Sequence, residues 1–202
     1  EEIGIRVSNT ALVTTAGAGN LALVGNGSTG GTGTNYGIQV DSGADITSTK
    51  TSGVATTGTV TLTGTGSGTL ELAGAISGAM SVTKTGAYTA IMSAANTYSG
   101  STLINGGTLG VRHDSALAGS TQTLVNALGT LLLDGGTPVV RRLAGSGSVV
   151  LTNGATGVLS NQTIGSLYAG TISGDGSITK AGNSTLTLSG ISTYTGRTTV
   201  DE

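Results

Sequence analysis

Few residues in this chain can do chemistry, and their spacing limits what each could do. His113, Asp114 and Ser115 carry the side chains of a hydrolytic relay in consecutive positions, and His113 is the one histidine present. Neighbours on a strand point to opposite faces, so these three cannot pass a proton among themselves, and a polar turn is the stronger reading. Asp41 and Asp45 stand four apart beside Gly43, while Asp134 and Asp175 adjoin glycines. Paired carboxylates on a β-helix can cleave glycans. No three acids recur one rung apart, which favours solvated turns. Gly30-Gly31-Thr32-Gly33-Thr34-Asn35 approaches half of a calcium-binding nonapeptide, with Asn where Asp is required and no second copy to complete a site. Gly64-Thr65-Gly66-Ser67-Gly68 and Gly145-Ser146-Gly147 lack the Lys-Ser/Thr and the helix of a phosphate loop. Thr57, Thr59, Thr61, Thr63 and Thr65 alternate along one face, as in an ice-binding surface, though an outward threonine ladder of β-formers is the stronger reading. Asn26-Gly27-Ser28, Asn161-Gln162-Thr163 and Asn183-Ser184-Thr185 fit the glycosylation sequon, as so Ser/Thr-rich a composition would produce. The expectation is no catalytic residue, no metal and no cofactor.

The elements that position these residues follow from composition. Of 202 residues 37 are glycine, and there are 5 Tyr, one Pro and no Phe, Trp or Cys. Each interior glycine weakens a helix by about 0.5–1 kcal/mol, whereas Thr, Val and Ile pack well on a pleated surface. Without aromatic bulk, aliphatics must fill a narrow core. Disorder is excluded by the positive mean hydropathy and the 9% of charged residues. The net charge of −2 and eight scattered cations leave no basic footprint for nucleic acid. No apolar run of about 18 residues is present, so no membrane insertion as a helix is expected of this segment. Any targeting or anchoring part is expected outside it.

Short alternating runs recur: Val60-Thr61-Leu62-Thr63, Thr69-Leu70-Glu71-Leu72, Leu103-Ile104, Leu131-Leu132-Leu133, Val149-Val150-Leu151 and Thr185-Leu186-Thr187-Leu188. Each predicts a strand with one aliphatic and one hydroxylated face. Clusters such as Asn105-Gly106-Gly107, Asp134-Gly135-Gly136 and Asn153-Gly154 predict turns, and Pro138 should flank a strand. Antiparallel hairpins and a parallel coil both remain open on spacing alone. Internal repetition favours the coil, with roughly 20–25 residues per rung, nine or so rungs and a rod of roughly 40 Å.

Residues 74–105 and 170–201 align without a gap at an offset of 96. Ser81-Val82-Thr83-Lys84-Thr85-Gly86 matches Ser177-Ile178-Thr179-Lys180-Ala181-Gly182, and Asn96-Thr97-Tyr98-Ser99-Gly100 matches Ser192-Thr193-Tyr194-Thr195-Gly196. The first copy is the more degenerate, with Ala90-Ile91-Met92 where Leu186-Thr187-Leu188 stands. The pattern resembles the autotransporter-associated β-strand repeat of bacterial passenger regions and large surface adhesins. The resemblance covers about a third of the chain. It implies a parallel β-helix and a repeat associated with passenger export and folding, its motif positions here being Lys84, Gly86, Tyr98, Gly100, Lys180, Gly182, Tyr194 and Gly196. Tyr98 and Tyr194 are expected to cover the core at a turn, hydroxyls in water.

The reading is all-β: one right-handed parallel β-helix over residues 1–202, a β-solenoid uncapped at both ends. Glu2-Ile3-Gly4-Ile5-Arg6 resembles Thr108-Leu109-Gly110-Val111-Arg112. It stands where the 96-residue offset would place it past the last residue. Partners are therefore expected to be neighbouring copies end to end, as covalent tandem or stacked subunits, with host or cell-surface glycans and proteins a further possibility. The expected role is an extracellular, bacterial cell-surface stalk or fibre in adhesion, biofilm or surface architecture. The rivals are a head-to-tail filament subunit, a polysaccharide-acting enzyme, and an ice or glycan binder.

Overall fold

In the computed structural model, residues 2–7, 12–16, 21–24, 35–40 and 45–49 are described as backbone strands, and 58–63, 69–161 and 163–201 with their side chains. The described chain is all strand, turn and loop, wound into a parallel β-solenoid. The first turn is β1 (Glu2–Val7), β2 (Leu12–Ala16) and β3 (Leu21–Val24). The second is β4 (Asn35–Val40), β5 (Asp45–Thr49) and β6 (Gly58–Thr63). The third is β7 (Thr69–Leu72), β8 (Ile76–Ser77) and β9 (Met80–Lys84). Then come β10 (Thr89–Met92) with β11 (Thr102–Ile104), and β12 (Gly107–Val111) with β13 (Thr123–Val125). Full three-strand turns resume with β14 (Gly129–Asp134), β15 (Val139–Arg141) and β16 (Leu143–Gly145). They continue with β17 (Ser148–Thr152), β18 (Thr156–Ser160) and β19 (Ser166–Tyr168), then β20 (Thr171–Gly174), β21 (Ser177–Ala181) and β22 (Leu186–Leu188). β23 (Thr198–Val200) follows.

Every turn visits three faces in order. The first face is β1-β4-β7-β10-β12-β14-β17-β20, and the third is β3-β6-β9-β11-β13-β16-β19-β22. The second begins as β2-β5-β8 and ends as β15-β18-β21-β23. Between those two sheets, loop backbone keeps the stacking: Thr97 N donates to Ile76 O at 2.9 Å, Asn96 N to Ser115 O at 3.3 Å, and Val139 N to Asp114 O at 2.9 Å. All pairings are parallel, as coiling requires and hairpins forbid. The eight strands of a face make seven rises of about 4.8 Å, or about 34 Å. That is shorter than nine rungs would give.

The rung length expected from spacing holds only in part. Thr89 pairs with Thr108, Gly107 with Gly129 and Thr102 with Thr123, steps close to the expected rung. At the N-terminal end Glu2 pairs with Asn35 and Leu21 with Val60, so those turns carry ten or more extra residues. Insertions between strands leave each strand's alternation intact, so the pattern does not betray them.

Register stacks like on like. Leu70, Ala90, Leu109, Leu131, Val149 and Ile172 form one inward column, each at most 2% exposed. Beside it run Leu72, Met92, Val111, Leu133 and Leu151. Each fully buried aliphatic contributes about 1.5–3 kcal/mol. The corners use left-handed backbone: Gly135 and Gly136 lie at φ 77° and 65°, Asn153 and Gly154 at 54° and 68°. Asn126 Nδ2 donates to Asn105 Oδ1 at 2.6 Å, one rung of an asparagine ladder.

Candidate functional site

The two repeat segments carry the most specific geometry. Lys84 ends β9 and turns inward at the corner between the third and first faces, where it is fully buried. Its Nζ donates to Thr85 O at 2.8 Å, Gly86 O at 2.9 Å and Gly106 O at 3.0 Å, and lies 3.9 Å from the Tyr88 ring centroid. The corner therefore ties adjacent rungs, 84–86 to 106. Carbonyls and a π-face stabilise the ammonium, but burial still lowers its pKa to about 8. Gly86 at φ 75° and Gly107 at 63° make the corner; a Cβ on Gly107 would press against Lys84 Nζ. In the second copy Lys180 Nζ donates to Gly182 O, and Gly182 takes φ 84°. Ser184 stands where the first copy has Tyr88.

Tyr98 behaves differently from expectation, whereas Tyr194 is only partly buried. Tyr98 is fully buried, and its hydroxyl meets Thr102 Oγ1 at 2.5 Å. Thr102 Oγ1 donates to Ser120 Oγ at 3.0 Å, and Ser120 Oγ to Gln122 O at 2.8 Å. The hydroxyl thus heads a buried chain and is not in water, because a phenol sealed in a core needs a partner. Tyr194 and Thr198 repeat the same pair. The threonine four residues on recurs in both copies, and that recurrence was the available signal for it.

Gly100 and Gly196 sit where the backbone crosses the rung beneath. A Cβ at Gly100 would be driven into Met80 O and Ser81 Oγ, and one at Gly196 into Gly176 O and Ser177 Oγ. The serine completes the joint: Ser101 N donates to Ser81 Oγ at 3.2 Å, and Arg197 N to Ser177 Oγ at 3.0 Å. Asn96 spans three rungs in the first copy, accepting from Ile76 N at 2.8 Å and donating to Ala116 O at 3.0 Å.

The copies do not lie on the same faces. Lys84 is on the third face and Lys180 on the second; 89–92 are on the first and 186–188 on the third. Residues around Tyr98 stack on the second face, whereas Thr193 N and Thr195 N donate to Ile172 O and Gly174 O of the first. From Lys84 the third-face register runs through Ile104, Val125 and Gly145 to Tyr168, four rungs, and Lys180 lies two faces further along the chain. The motif is therefore a local device that works on any side of the coil.

The remaining candidates are engaged structurally. His113 Nδ1 accepts from Ser115 N at 3.0 Å, and Asp114 accepts from Thr137 N at 2.7 Å and Thr137 Oγ1 at 3.1 Å. Asp134 is not merely a solvated turn residue: it ends β14 and takes a 2.8 Å ion pair from Arg112 Nε, with Thr152 and Asn153 on its other oxygen. Arg112 holds its carboxyl below the usual range. Glu71 lies 4.0 Å from Arg112 on the far side. Asp175 Oδ1 accepts weakly from Gly154 N at 3.4 Å. Thr59, Thr61 and Thr63 face outward on β6. Asp41, residues 30–34 and residues 64–68 lie outside the described residues, as does the side chain of Asp45. Among the described residues no three His, Asp or Glu cluster as metal ligands.

A family model described as the passenger-associated transport repeat matches residues 82–111 and 178–202, just over a quarter of the chain. These are the segments that hold the lysine corners and the tyrosine–threonine pairs, and they are repeats of autotransporter passengers. Such a repeat places a chain among exported, cell-surface proteins in general. No curated protein and no solved structure matches the chain.

Proposed function

From the premise of two passenger repeats in a parallel solenoid, we propose that this chain is a stiff stalk segment of an exported bacterial surface protein. It serves adhesion, biofilm or surface architecture, and its repeats act as folding joints during export. The supporting observation is that both copies build the same rung-to-rung lock on different faces: Gly100 with Ser81, Gly196 with Ser177. A lock indifferent to the side it occupies suits a rod that folds rung upon rung, since each rung contacts only its neighbours. The role is mechanical and assigns no residue a catalytic step.

The test is surface display of the chain as the passenger of a bacterial outer-membrane export system. Gly100→Val and Gly196→Val should each lower display at least twofold, while Leu128→Ser, at a site 83% exposed, should leave it unchanged. Display at the unsubstituted level by both glycine variants, with purified proteins that are measurably less stable, would remove the export role.

A further inference from the structure

One corner of the solenoid is built differently from the rest. Between the second and third faces, β15 passes to β16 through Arg142 alone, whereas one rung on, β18 passes to β19 through 161–165. The longer corner supplies Thr163 and Ile164 as one wall of a recess of about 250 Å3; Thr121, Arg141, Arg142 and Ser160 line the rest.

Arg142 sits in the left-handed region at φ 44°. Nine glycines occupy that region among the described residues, where the missing Cβ makes it cheap. The other non-glycine there is Asn153, a residue type that tolerates it. Arginine has no such excuse, so the backbone strain at this corner is accepted for the sake of a side chain. Among the described residues neither Arg141 nor Arg142 meets a carboxylate; the ion pairs with Glu71 and Asp134 belong to Arg112. Arg142 Nε is shut from solvent without an acceptor. Both arginines line the recess without a carboxylate partner, and an oxyanion in it would accept forked hydrogen bonds from a guanidinium. Thr121, Ser160 and Thr163 bring hydroxyls that both donate and accept, and Ile164 is 55% exposed beside them.

An oxyanion, several hydroxyls and a small apolar face describe an acidic sugar. We propose that this recess binds a uronic-acid residue of an acidic polysaccharide, the two guanidiniums taking the carboxylate, the hydroxyls the sugar oxygens, and Ile164 the ring's C–H face. The site is a corner feature and does not depend on the export role.

Isothermal titration of the full chain with trigalacturonate tests it. The trisaccharide should bind, and its methyl ester, sodium sulfate and triglutamate should each bind at least tenfold more weakly. Arg142→Gly should weaken binding at least tenfold while its Tm stays equal or rises, because glycine relieves the strain. Arg141→Gln, which leaves the backbone alone, should weaken binding with an unchanged Tm. Absence of binding overturns the proposal, as does equal binding of sulfate or triglutamate, or full affinity in both variants.

Discussion

At Lys84 a cation is held by carbonyl oxygens and an aromatic face instead of a counter-ion, and its titration should be visible in the stability of the fold. Its folded pKa of about 8 lies below its ordinary 10.5, so between those values the unfolded chain binds more protons. Stability is therefore lowest below pH 8 and rises as the lysine discharges, by at most about 3.5 kcal/mol at about 1.4 kcal/mol per unit. The buried tyrosines act oppositely. Burial pushes the Tyr98 hydroxyl up to about 12 and raises Tyr88 and Tyr168 as well, so their contribution is full below pH 10 and lost above it. Urea midpoints should climb from pH 8, peak near pH 10 and then fall. In Lys84→Met the climb should vanish, and a climb of the same size would assign it elsewhere. Tyr98→Phe should cost about 1 kcal/mol by breaking the bond to Thr102 while that threonine keeps Ser120. The repeat's lysine and tyrosine could be read from sequence as positions. Their roles could not, because a lysine in a polar corner and a tyrosine at a turn are ordinarily solvated, and burial is set by the next rung.

Between elements, the joints at Gly100 and Gly196 leave no room for a methyl group. Gly100→Ala should destabilise by about 1–3 kcal/mol in chemical denaturation, since the clash is with backbone of the rung beneath. A loss below 0.5 kcal/mol would mean that the rungs can shift apart there. The Glu71–Arg112–Asp134 ladder across the first face should matter much less. Arg112 is half exposed, so Arg112→Ala should cost under about 1 kcal/mol and the difference should shrink in high salt. Strand identity was legible because the alternation in runs such as Val60–Thr63 and Val149–Leu151 directly records which side faces the core. The long N-terminal turns and the recess at Arg142 were not. Both arise from corner lengths, and a corner's length has meaning only beside the corners of adjacent rungs.

For the whole molecule, the columns along the core and the face-independent repeat predict that parts can be exchanged. Replacing 81–105 by the sequence of 177–201 should give a chain that still unfolds cooperatively, because the motif carries its own corner, lock and tyrosine–threonine pair. Loss of cooperative unfolding in that exchange would show that each copy is fitted to its own face. Additivity sets the scale of any loss: a defect in one rung weakens two interfaces and leaves distant rungs untouched.

The step between the repeats has a consequence for what such a rod shows to its surroundings. Because corresponding residues are four rungs and two further faces apart, the second copy looks out a third of a revolution away from the first. Leaves on a stem are set by the same arithmetic, where a fractional turn between successive organs keeps any one from shading the next. Successive copies with this spacing would go round the axis before any returned above the first, so the rod would have no front or back and would offer the same features to every direction of approach.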